Sequence, residues 1–222
     1  MRSPIYSGLS ILIAAALLAQ PMLAFQSPLS DESVREAYFL GQRHDNSFEL
    51  LLDKYTHHLP APSNGPYISS ITFLTPFMMA ARLSGSHAGN YSAQQAALDH
   101  RSVTEIVQII VQIQLTESYG PFVGTVPANS RTGTGVGLIP RQGDFWKDFQ
   151  VHIHNGEKPV LISTSRGHGD YSCSEYGGCS LIGATLEFDI SATAFSTDSA
   201  SVRIDPPEGE QVTTEFDLTS LR

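Results

Sequence analysis

From Glu105 to Thr116 the chain reads EIVQIIVQIQLT, with Val107, Ile109, Val111, Ile113 and Leu115 alternating with Gln108, Ile110, Gln112 and Gln114. A period of two predicts a half-buried strand. Leu186, Phe188, Ile190, Ala192 and Ala194 alternate in the same way with Glu187, Asp189, Ser191 and Thr193. Near the start the period is longer. Val34, Ala37, Tyr38 and Gly41 fall at i, i+3, i+4 and i+7, behind Ser30 as N-cap and the acids of a first helical turn. Phe48, Leu51, Leu52 and Tyr55 repeat the stripe behind Asp45, and Pro60 marks a stop. His57-His58 suit the negative end of that second helix. Ile68 to Ser84 reads as extended chain broken at Pro76, and YSAQQAALDHR from Tyr91 as a third short helix.

Further strands are expected over 147–154, 159–165, 181–195, 201–205 and 211–218, with the turn DPPEGE before the last. Many strands with short turns and one-sided alternation predict an α+β, mainly β fold. It would be an antiparallel β-sandwich-like domain with two short N-terminal helices and one further short helix. The connector LPAPSNGP, from Leu59 to Pro66, divides a helical segment over 25–60 from a β-rich domain over 61–222 packed with it. Residues 126–143 are polar and glycine-rich and are expected as a mobile surface loop.

Residues 1–24 change the picture of where the chain works. Arg2, the apolar run LSILIAAALLA and Met22-Leu23-Ala24 form the pattern of a secretory signal peptide cut after Ala24. The chain beyond it has 12 basic and 22 acidic residues, a net charge of −10. That argues against nucleic acid or anionic lipid as partners. ITFLTPFMMAA, the longest later apolar stretch, is too short to span a bilayer, so no integral membrane segment is expected once the signal is removed. Cys173 and Cys179, in CSEYGGC, read as one disulfide of an oxidising compartment. Their spacing is wider than a zinc or redox pair uses. The expected location is the periplasm or the outside of the cell.

Candidate chemistry centres on FQVHIHNGEKPVLI, from Phe149 to Ile162. A two-residue turn at Asn155-Gly156 pairs His154 with Glu157, so that His152, His154 and Glu157 share one face and Val151, Ile153, Val160 and Ile162 the other. A four-residue turn keeps the apolar face and moves Glu157 into the loop. Two imidazoles and a carboxylate are a start for one divalent transition metal. A half-wet hairpin with a cross-strand His–Glu pair accounts for the same pattern with no cofactor at all. The stretch resembles the first motif of the cupins, where a His-x-His pair and a downstream glutamate bind metal. That resemblance implies His152, His154 and Glu157 as ligands, although the glutamate follows one residue sooner than in the motif and Gly143 stands farther upstream. His168, in RGHGDYSC with Asp170, can add a ligand from a loop; its glycine neighbours fit a turn as well.

Other motifs carry less. The glycines from Gly133 to Gly137 lack the lysine of a phosphate loop. Asn90 opens a glycosylation acceptor sequence. Phe145, Trp146 and Phe149 fit a core plug, and Trp146 with Tyr176 fits a glycan platform. SDESVREAYFLGQR, LPAPSNGPYI and YSAQQAALDHR resemble segments of uncharacterised exported proteins of acidobacterial type, which implies export and no particular activity. The expected role is a non-catalytic envelope or extracellular binding domain, its partner an envelope protein or a glycan. The alternative is a metal-binding protein or metal-dependent enzyme.

Overall fold

The computed structural model describes residues 25–43, 45–87, 91–125, 137–175 and 177–222. The leader pattern, Asn90, residues 133–136 and Tyr176 lie outside these. Among the described residues the chain forms four α-helices: α1 (Asp31–Gly41), α2 (Ser47–Asp53), α3 (Pro76–Ser86) and α4 (Ala93–His100). Eleven strands accompany them. The first five are β1 (Thr56–His58), β2 (Tyr67–Leu74), β3 (Ile106–Gln114), β4 (Phe122–Thr125) and β5 (Gly137–Pro140). The rest are β6 (Gln150–Asn155), β7 (Lys158–Pro159), β8 (Thr164–Cys173), β9 (Cys179–Ser191), β10 (Ser199–Asp205) and β11 (Val212–Asp217).

One sheet has the order β1-β2-β3-β9-β8, a second the order β11-β10-β6-β7, and all their pairings are antiparallel. The alternation in β3 and β9 puts Val107, Ile109, Val111, Leu186, Phe188 and Ile190 on one buried face. Ile153, Val202, Ile204 and Phe216 of the second sheet belong to the same core. Phe73 on β2 joins the layers, with ring centroids 5.4 Å from Phe216 and 5.2 Å from Phe195. The fold is therefore α+β and mainly β, with two sheets sharing one core. The hairpin β4–β5 joins neither sheet and exposes Phe122, Leu138 and Ile139. Its second strand falls within the segment expected as a loop.

Several elements differ from expectation: the strand expected over 181–195 ends at Ser191, where Ala192–Ala194 form a 3-10 turn, and the one expected over 159–165 is split between β7 and β8. Pro76 opens a helix instead of breaking a strand. Its fixed φ and missing N–H suit a first helical turn, and the Thr75 hydroxyl accepts from Met78 N–H. Phe77, Met78, Ala81 and Ser84 then form the buried stripe, so two further helices follow the N-terminal pair, not one. His57 and His58 do not end a helix. They lie on β1, where His57 packs edge-on against Phe216 at 4.7 Å and His58 meets Asp53 at 3.0 Å. The segment over 25–60 therefore supplies an edge strand to the larger sheet. Gly167, His168 and Gly169 form no turn but run through β8, because the Gly167 side lies against the Trp146 ring. A Cβ there would stand 2.7 Å from the indole.

Candidate functional site

Helices α1, α3 and α4 pack beside the head of β3. Their small and apolar inward residues, Val34, Ala37, Ala81 and Ala96, bring the backbones together. Between them lies a hollow of about 230 Å³. Val34, Met79, Ala80, Leu83, Val103 and Ile106 make its wall mainly apolar. Tyr91 closes one side, its ring stacked on His87 at 4.2 Å and its backbone carbonyl accepting from the Tyr38 hydroxyl. Burial, with Asp99 beside it, raises the Tyr91 phenol above its ordinary value.

The polar part of the wall is a pair. His100, the last residue of α4, places Nε2 2.8 Å from Glu105 Oε1, with the two side chains 19% and 10% exposed. The Leu29 N–H donates to the same carboxylate at 2.6 Å and the Ser27 hydroxyl at 2.5 Å. Burial pushes the Glu105 carboxyl up, but the hydrogen bonds from His100, Leu29 and Ser27 outweigh it and hold the group below the usual carboxylate range. The pair also borders a second hollow, lined by Ser27, Pro28, Leu29 and Thr193, so it stands as a partition between two concave surfaces. Such an arrangement can bury a small apolar molecule and present one oriented imidazole to it.

The residues expected from sequence lie elsewhere and do not converge. His152 and His154 are on β6, on the face of the second sheet away from the core. The observed register pairs His154 with Pro159 and Asn155 with Lys158. The turn is therefore Gly156-Glu157, one residue later than an Asn155-Gly156 turn, so that the partner of His154 moves from Glu157 to Pro159 and Glu157 lies in the turn. Gly156 has φ +58° while Glu157 does not have positive φ, which is the signature of a type II′ turn. Asn155 is a core anchor instead: it donates to Ala194 O at 3.0 Å and accepts from Thr197 N–H at 3.2 Å.

The carboxylate beside His152 is Asp205, at 3.3 Å, which Arg203 also engages at 3.3 Å. That guanidinium puts a positive charge beside the carboxylate nearest His152, which disfavours a second cation there. His168 is on β8 of the other sheet, with Asp170 at 3.4 Å. Among the described residues no group of three or more His, Cys, Asp or Glu side chains is placed to hold a metal ion. Cys173 and Cys179 face each other across β8 and β9 and form the disulfide. Trp146 is half-buried against the core.

His100 and Glu105 escaped the sequence reading. The available signal was thin: a histidine closing a helix, five residues before the acid that precedes the best strand. Comparison with protein-family models, curated proteins and solved structures finds no match for this chain.

Proposed function

We propose that this chain is an exported, non-catalytic binding domain that takes up a small apolar molecule in the pocket beside α1, α3 and α4. The carrying observation is the pocket itself, an apolar hollow of about 230 Å³ with one fixed polar pair in its wall. Apolar cavities of about 150 Å³ take up benzene, so this one suits a substituted ring or a short acyl chain. Export rests on the leader pattern of residues 1–24 and on the oxidised cysteine pair.

Toluene is the test ligand. It raises the Tm of the wild type in a thermal melt, and Ala80→Leu, which fills the hollow from α3, removes the shift. A wild type whose Tm does not move at saturating toluene rejects the reading. Export is checked separately: the full chain expressed in a bacterium with a periplasm is recovered there, beginning at Phe25.

A second reading, an envelope protein as partner, is favoured by the exposed Phe122, Leu138 and Ile139 of β4–β5. An apolar patch of this kind suits protein better than glycan. Phe122→Ser/Leu138→Ser weakens cross-linking to envelope proteins on this reading; unchanged cross-linking sets it aside.

A further inference from the structure

The pocket contains few polar atoms, and most of them already have partners. Ser84 Oγ donates to Ala81 O at 2.8 Å. Glu105 Oε1 accepts from Leu29 and His100, and Oε2 from Ser27. Asp99, on the exposed rim, accepts from Gln95 at 2.6 Å. Beside the hydroxyls of Tyr91 and Thr104, the remaining polar group of the lining is His100 Nδ1, which takes no hydrogen bond among the described residues.

Its chemical character follows from its neighbour. An ionised carboxylate can only accept, so the ring nitrogen facing Glu105 must be the donor, Nε2–H. In the neutral imidazole the other nitrogen then carries a lone pair. The imidazole therefore adds one acceptor, fixed in orientation, to a mainly apolar wall whose other polar groups include the Tyr91 and Thr104 hydroxyls and the rim carboxylate of Asp99. The carboxylates of Asp99 and Glu105 nearby oppose an anionic ligand. A neutral molecule with a ring-sized apolar body and one O–H donor satisfies every part of this.

We infer that the ligand is an uncharged hydroxylated apolar molecule, of the size of a phenol, whose hydroxyl donates to His100 Nδ1. This rests on the pocket reading above and adds the head group to it. A purely apolar pocket prefers toluene to phenol, since burying a hydroxyl without a partner is unfavourable by on the order of tenfold in affinity. The acceptor on His100 offsets that.

The test is calorimetric titration of the full chain with phenol and with toluene at about pH 8, above the ordinary imidazole range. The wild type should bind phenol at least as tightly as toluene. In His100→Leu, phenol should lose on the order of tenfold more affinity than toluene loses. Should His100→Leu not fold, nitrogen NMR of the wild type decides: the Nδ1 resonance of His100 should move with phenol and stay with toluene. A wild type that prefers toluene as strongly as the variant does, or an Nδ1 signal indifferent to phenol, overturns the inference and leaves the pocket reading standing. A wild type that takes up neither overturns both.

Discussion

His100 Nε2 and Glu105 Oε1 stand 2.8 Å apart, joining the last residue of α4 to the residue just before β3. The same carboxylate holds Ser27 and Leu29, so one side chain fastens the N-terminal segment, a pocket helix and the larger sheet. Burial pushes its carboxyl up and the three donors bring it below the usual range. A depressed folded value means that the stabilisation is complete above the unfolded value, about 4.3 for glutamate. It is lost as pH falls through the folded one. Glu105→Gln should therefore cost about 1.5–3 kcal/mol at neutral pH. Its gap from the wild type should narrow in acid. Urea denaturation at about pH 7 and pH 3 measures both; a gap independent of pH refutes the role of the ionised form.

Cys173 and Cys179 are direct cross-strand partners with Cα atoms 4.0 Å apart, and both are exposed at the far end of β8 and β9. The loop they close is short, so the chain-entropy estimate is about 2 kcal/mol. In Cys173→Ser/Cys179→Ser the unfolding free energy from urea denaturation should fall by that amount. Amide exchange should quicken at Ser172 and Ser180 while toluene binding is unchanged. A change in toluene affinity on losing the disulfide runs against this separation.

What the sequence made legible depended on how local the cause was. The alternation of β3 and β9 and the stripe of α1 arise from neighbours within a few residues, and each element stands where its pattern puts it, except that Ala192–Ala194 leave the strand for a 3-10 turn. Helix α3 was hidden because a proline reads as a break in a strand or as the first residue of a helix, and only the Thr75 cap distinguishes them. β8 was hidden because Gly167 answers to Trp146, some twenty residues earlier. The carboxylate hub at Glu105 depends on Ser27, a separation of 78 residues, which no periodicity encodes.

Trp146 is the only tryptophan, and its indole lies against Gly167 so closely that an added Cβ would fall 2.7–2.9 Å from three ring atoms. The ring must shift to admit a methyl. Gly167→Ala should cost about 1–3 kcal/mol and move the emission of Trp146 toward the red as the indole is displaced into water. The fluorescence spectrum and the urea midpoint are read on one sample. A stable variant with unchanged emission means that the ring does not depend on this glycine.

The β6–β7 turn gives the sharpest contrast between two registers of one sequence. With Asn155 at a turn centre, Asn155→Gly would be tolerated, since that position favours positive φ. In the structure Asn155 is 4% exposed and bonds Ala194 O and Thr197 N–H, fixing the chain before β10. Removing its amide leaves those backbone groups without a partner, and Asn155→Ala and Asn155→Gly should each cost about 1–3 kcal/mol. The turn proper is next door. Gly156 sits at φ +58°, so Gly156→Ala should cost about 1–2 kcal/mol from backbone strain alone. Exposed Glu157 should accept Lys within about 0.5 kcal/mol. Four urea titrations separate the cases. A neutral Asn155→Gly beside a costly Glu157→Lys is the pattern of the other register, in which Glu157 faces His154 across the strands.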